Sequence, residues 1–177
     1  MLADAKNLGT LLLERRLTLA VAESCTGGMV GAAITRVPGS SAYFKGGIIA
    51  YSNEIKEKVL GVPAGLLETK GAVSAEVAEA MAEGAIKLCG SSCGIAVSGI
   101  AGPDGGSADK PVGLVFIGIC LREQVRSYEF RFTGDREEIR KEATKAGLRK
   151  MVELIESTLP KSSAGEFLQR SILKNRG

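Results

Sequence analysis

The sequence predicts an α/β fold, a three-layer α/β/α sandwich with a mixed, mostly parallel sheet of about five strands. Three observations predict it. Short apolar runs alternate with stretches of helical periodicity over residues 1–98. Two further apolar runs, Val112–Leu121 and Val125–Phe132, are separated by a tight polar turn near Arg122–Gln124, which makes them an antiparallel pair. At 177 residues and 45% hydrophobic content, the chain is long enough to bury a core against such a sheet.

The elements follow in order. Ala3–Arg16 carries Leu8, Leu11, Leu12 and Leu13 as the apolar face of an opening helix. Leu17–Ala22 is a buried strand, broken by Glu23-Ser24-Cys25-Thr26-Gly27-Gly28. Met29–Val37 is helical and is closed by Pro38 and Gly39. Ala42–Tyr51 holds the apolar run Ile48–Tyr51 and reads as a second strand. Ser52 or Asn53 caps a helix running through Lys56 to Leu60, and Gly61 ends it. Pro63–Lys70 is a short helix or turn. Ser74 caps an Ala-rich helix over Ala75–Cys89, ended by Gly90. Gly94–Ser98 is a third strand, releasing into the loop Gly99–Pro111. After the hairpin, Asp135 caps a last long helix reaching about Thr158. Residues 1–159 thus read as one domain. The polar stretch 160–177 reads as a tail, either disordered or holding a short helix around Phe167–Leu173.

Composition removes whole classes of chemistry. Histidine is absent, which excludes a Ser-His-Asp triad, a Cys-His pair, a His-ligated zinc and imidazole acid–base catalysis. Cys25, Cys89, Cys93 and Cys120 lack metal-ligand spacing, so no metal site is expected. The net charge of +3 is small and its signs are interleaved, with no basic patch carrying aromatics, so no nucleic-acid partner is expected. No apolar run approaches the ~20 residues of a membrane span. Isolated cysteines and no signal peptide point to a reducing cytoplasm.

Ligands in open α/β sheets collect at the carboxyl ends of strands. Ser24–Gly28, Tyr51–Lys56 and Ser98–Gly106 all fall at such ends, so they are expected to share one site. Ser24, Thr26, Gly27 and Gly28 sit between strand and helix, near amides that favour negative charge, whether a phosphate or a developing oxyanion. The alternative is a plain N-cap with glycines for close packing. A P-loop is excluded, because no Gly-Lys-Ser/Thr follows. Lys56, one helical turn past a strand end, becomes a base if it is desolvated there; otherwise it is a surface lysine beside Lys58. Tyr51 and Asn53 flank it and can orient a substrate or cap the helix. Ser98, Gly99 and Gly102 open a glycine-rich loop able to wrap a ligand with backbone N–H groups. Arg136 can grip a phosphate or simply face solvent. Cys25 is either a second nucleophile candidate or a buried structural thiol.

Several of these stretches occur together in one known pattern. Ala22–Gly28, Tyr51–Lys56, Gly71-Ala72-Val73-Ser74, Val97–Gly106 with Lys110-Pro111-Val112-Gly113, and Gly134-Asp135-Arg136 appear in register. The sequence resembles the CinA C-terminal domain family, which includes stand-alone bacterial nicotinamide mononucleotide deamidases, over about residues 5 to 157. The separate N-terminal domain of full-length members is not expected within this sequence. The resemblance implies hydrolysis of the nicotinamide carboxamide by a serine–lysine pair matching Ser24 and Lys56. It also implies no metal or organic cofactor, a small pyridine nucleotide as the bound partner, and a homo-oligomer, dimer or trimer. The other reading is a regulatory domain that binds a nucleotide without catalysis, for which the pairing of Ser24 with Lys56 would be superfluous.

Overall fold

The computed structural model describes residues 1–159. The tail expected over 160–177, and the short helix considered there, lie outside the described residues. Eleven elements follow one another: α1 (Leu2–Glu14), β1 (Leu19–Glu23), α2 (Met29–Thr35), β2 (Phe44–Ile49), α3 (Asn53–Lys58), α4 (Ala64–Lys70), α5 (Ala75–Cys89), β3 (Cys93–Gly99), β4 (Leu114–Leu121), β5 (Gln124–Arg131) and α6 (Arg136–Thr158). One short 3-10 turn, Ser40–Ala42, leads into β2.

The five strands form one mixed sheet in the order β2-β1-β3-β4-β5. β1 pairs in parallel with β2 and β3, whereas β4 runs antiparallel to β3 and β5. Four strands therefore point one way and β4 alone is reversed. Arg122 adopts φ +56° in the two-residue turn of the β4–β5 hairpin, whose register sets Leu121 opposite Gln124.

The two faces of the sheet are covered differently. Leu19 and Val21 of β1, Ile95 and Val97 of β3, and Ile117 and Ile119 of β4 pack toward α1, α2 and α6. Alternate residues of the same strands, Ala20, Ala22, Ala96 and Cys120, meet Val77, Met81, Ala82 and Ala85 of α5. The second face is small by design of sequence, and α5 lies close against it. A Cβ on Gly118 would collide with the carbonyl of Ala78, so glycine is required in mid-strand there. Each fully buried Leu, Ile or Val side chain contributes about 1.5–3 kcal/mol through removal from water.

Helix ends match the side chains that stop and start them. Ser74 Oγ accepts the Val77 N–H, and Gly90 closes α5 in the left-handed region at φ +60°. Asp135 and Glu138 form a capping box on α6, each side chain accepting the other's backbone N–H at 2.8 Å. Ser52, rather than Asn53, caps α3.

Candidate active site

The carboxyl ends of β1, β2 and β3 lie side by side, and β1 continues into Ser24, whose N–H donates to the Val97 carbonyl at 2.9 Å. The chain must turn there to enter α2. Gly27 and Gly28 take φ values of +58° and +98°, which side chains rarely adopt. Gly27 N–H folds back onto the Ser24 carbonyl at 3.1 Å.

Lys56 reaches this turn from α3. Only 1% of it is exposed, and its ammonium is satisfied by three oxygens: Ser24 Oγ at 3.2 Å, Ala50 O at 2.9 Å and Tyr51 O at 3.0 Å. α3 is short and properly capped, so its first turn projects Lys56 back over the end of β2. Burial disfavours the ammonium and holds the Lys56 pKa below its ordinary value. The alternative of a surface lysine is removed by these distances.

Neither Ser24 nor Thr26 caps α2. That place is taken by the Glu23 carboxylate, whose Oε2 accepts from Gly28 N (2.9 Å) and Val30 N (3.1 Å), and whose Oε1 accepts from Gly31 N (2.8 Å). On the other side of the turn, Arg140 of α6 donates from Nε to Cys25 O (3.1 Å) and from Nη2 to Thr26 O (2.7 Å). Among the described residues, the amides of Cys25 and Thr26 donate to no other residue, and the buried Thr26 hydroxyl has no partner. Burial pushes the Cys25 thiol up to about 11, partly offset by its own backbone N–H and by the nearby Arg140 charge. That thiol stays protonated near neutral pH, which suits a packing residue and not a nucleophile.

The structure brings Tyr51, Gly102 and Arg136 together. Arg136 Nη1 donates to Gly102 O at 2.6 Å, and Nη2 contacts the Tyr51 hydroxyl at 3.3 Å. Tyr51 is 61% exposed and lies just past the end of β2. Ser98 is buried and its hydroxyl donates to Ala72 O at 2.6 Å, a tie between β3 and the segment before α5. Gly99 is explained by packing: a Cβ there would stand 2.7 Å from Leu114 O. Asn53 is exposed at the start of α3, and no side-chain bond holds it to the turn.

Glu23 and Arg140 are the residues that sequence reasoning missed. Glu23 had a signal, a carboxylate closing an apolar strand where a buried charge must find donors. Arg140 stands one helical turn beyond Arg136 and therefore shares its face.

Fold and site together define a class: a three-layer α/β domain with a buried serine–lysine contact at the ends of its parallel strands. The CinA C-terminal domain family matches residues 3–155, and the chain belongs to that family. A CinA-like protein of Geobacter sulfurreducens is 56% identical over 130 residues, 73% of this chain and 32% of that protein. A CinA-like protein of Geotalea daltonii is 59% identical over 123 residues, 70% of this chain and 30% of that protein. The chain thus spans about a third of the length of these relatives. The crystal structure of the competence/damage inducible protein CihA from Agrobacterium tumefaciens superposes with a TM-score of 0.84 at 39% identity, covering 86% of this chain and 94% of that one. Among the described residues no helix is long and apolar enough to cross a membrane, and no cluster of three or more metal-ligating side chains occurs.

Proposed function

We propose that this domain is an amidohydrolase that converts nicotinamide mononucleotide to nicotinate mononucleotide and ammonia. The observation that carries the reading is the 3.2 Å contact between Lys56 Nζ and Ser24 Oγ, made inside the protein by a lysine whose charge is disfavoured. The resemblance to nucleotide deamidases of the family supplies the substrate.

A neutral amine has two N–H bonds and one lone pair. With its two donors on Ala50 O and Tyr51 O, Lys56 has its lone pair left for the Ser24 hydroxyl proton. Lys56 takes that proton as Ser24 Oγ attacks the carboxamide carbon. Open amides of the Ser24 turn receive the oxyanion, a stabilisation worth about 3–4 kcal/mol per donor. The charged Lys56 then gives its proton to the departing nitrogen, and ammonia leaves. Water, deprotonated by Lys56 in turn, attacks the acyl-serine, and Ser24 recovers its proton as the nicotinate product is released. Arg136 and the loop around Gly102 are suited to the ribose phosphate, because guanidinium and backbone N–H groups both favour that dianion. No step calls on a metal or organic cofactor.

The test is ammonia release from nicotinamide mononucleotide by the purified chain, beside Ser24→Ala. The parent is expected to release ammonia and the variant to lose nearly all of it while keeping its melting temperature. Activity within a few-fold of the parent in the variant would remove Ser24 from the nucleophile's role.

A further inference from the structure

Among the described residues, Lys56 and Glu23 are the only charged side chains that are almost fully buried, at 1% and 2% exposure. They flank the same serine, yet each is satisfied separately. Lys56 donates to oxygens of Ser24, Ala50 and Tyr51, while Glu23 accepts three amides from the start of α2. A carboxylate paired directly with Lys56 would favour its ammonium and leave little neutral amine to accept a proton near neutral pH. Glu23 makes no such pair: its carboxylate is taken up by three amides at the start of α2.

The same bonds fix the turn. Glu23 is the last residue of β1, so its grip on Gly28, Val30 and Gly31 closes the backbone around Ser24 into a short loop. Gly27 N–H is used by Ser24 O. Arg140 holds the carbonyls of Cys25 and Thr26, and in a trans peptide the Thr26 N–H is directed opposite the Cys25 carbonyl, away from the guanidinium. Of the amides from Cys25 to Gly28, those of Cys25 and Thr26 donate to no other residue, the Cys25 N–H lying against its own thiol.

We infer that Glu23 is the positioning residue of the site: by saturating the α2 amides it locks the Ser24 turn so that the N–H groups of Cys25 and Thr26 form the oxyanion hole. The inference rests on Ser24 as nucleophile and is independent of which amide is cleaved. Its test therefore uses an alkyl fluorophosphonate. Ser24 Oγ forms a bond to phosphorus, the P–F bond breaks, fluoride leaves and the serine proton passes to Lys56. The phosphoryl oxygen takes the place of the oxyanion.

Glu23→Gln, nearly isosteric but uncharged, should lower the labelling rate constant at least about 10-fold, short of the roughly 100- to 1000-fold cost of removing an oxyanion donor outright. The fraction labelled at completion should equal the parent's, and the pH midpoint of labelling should not move. A residue that merely supports folding would lower the labelled fraction and leave the rate constant of the folded molecules alone. In the parent, labelling should shift the amide proton resonances of Cys25 and Thr26 and leave those of Gly28, Val30 and Gly31 in place. This second measurement decides the matter if Glu23→Gln does not fold. A rate constant within two-fold of the parent's, or shifts centred on Gly28, Val30 and Gly31, overturns the inference and leaves the deamidase reading standing. A parent that is labelled at Ser24 but releases no ammonia from the mononucleotide overturns that reading instead. A parent not labelled at Ser24 overturns both.

Discussion

On the proposed mechanism, Lys56 couples the chemistry of the site to the stability of the fold through one proton. Burial lowers its pKa from an ordinary 10.5, so the unfolded chain binds a proton more readily than the folded one between the folded value and 10.5. Across that window stability rises with pH. Below the folded value the cost of the buried lysine is present in full, and above 10.5 it is gone. The same titration should give the pH–rate profile a rising limb with a midpoint under 10.5, and no histidine exists to produce one. Lys56→Met and Lys56→Arg should both be inactive, since neither side chain can accept the serine proton. Lys56→Met also leaves the Ala50 and Tyr51 carbonyls without their donor, at about 1–3 kcal/mol each if nothing replaces it. The melting temperature of the parent should therefore gain on that of Lys56→Met as pH rises toward 10.5. Turnover by Lys56→Arg above a few per cent would exclude Lys56 as the base. The pairing of Ser24 with Lys56 was legible only through the family resemblance, because beyond an apolar run each residue alone fits a plain helix cap or a surface lysine equally well. Arg140 was not, because its partners are carbonyls more than a hundred residues away, and backbone acceptors leave no mark on a sequence.

Helix α6 carries both arginines that face the site, and its first turn is held by the Asp135–Glu138 capping box. Asp135→Ala should cost about 1–2 kcal/mol, since it removes the acceptor of the Glu138 N–H. In a chain of this size each kcal/mol corresponds to a fall of roughly 2–4 °C in melting temperature. Fraying acts on the first turn before the second, so Arg136 should lose its place more readily than Arg140. The expected kinetic signature is a KM for the mononucleotide that rises several-fold with a smaller change in kcat. Steady-state kinetics beside thermal melts would check this, and a loss confined to kcat would show that Arg136 does not hold the substrate. Elements were read well where caps are chemical. Ser74, Gly90 and Asp135 mark α5 and α6 to the residue, because a hydroxyl, a missing Cβ and a carboxylate each solve an end problem locally. Boundaries slipped at β2, expected over Ala42–Tyr51 and found over Phe44–Ile49. There the tertiary pairing of β1 decides where the ladder stops, and Ala50 and Tyr51 are diverted to feed Lys56.

At the scale of the whole molecule, the candidate site and the β4–β5 hairpin occupy opposite ends of the sheet. Ser24, Lys56, Arg136 and the turn residues cluster where β1, β2 and β3 finish, while the β4–β5 turn and the end of α5 close the other edge. The paired residues Leu19, Cys93 and Leu121 mark that far end, five residues along β1 from Ser24. At a rise of about 3.3 Å per residue, the separation is roughly 16 Å. Leu121 is buried in the larger core, on the face of β4 that α6 covers. Leu121→Ala should cost about 2–5 kcal/mol, part from lost transfer energy and part from the cavity left behind. Against a total stability of about 5–15 kcal/mol the variant remains folded at 25 °C, with a clearly lower urea midpoint. Its kcat per folded molecule should match the parent's within two-fold, because the Ser24 turn is held by Glu23, Arg140 and Lys56 and not by packing at the hairpin. Sites this far apart should also add: Leu121→Ala with Lys56→Met should show a stability loss equal to the sum of the single losses within about 0.5 kcal/mol. Urea titrations of the two single variants and the double variant, with ammonia release measured on Leu121→Ala, test both statements together. A several-fold fall in kcat for Leu121→Ala, or a coupling of more than about 1 kcal/mol in the double variant, would mean that strain at the hairpin reaches the serine through β1 and β3. In that case the sheet would have to be treated as one mechanical unit with the site.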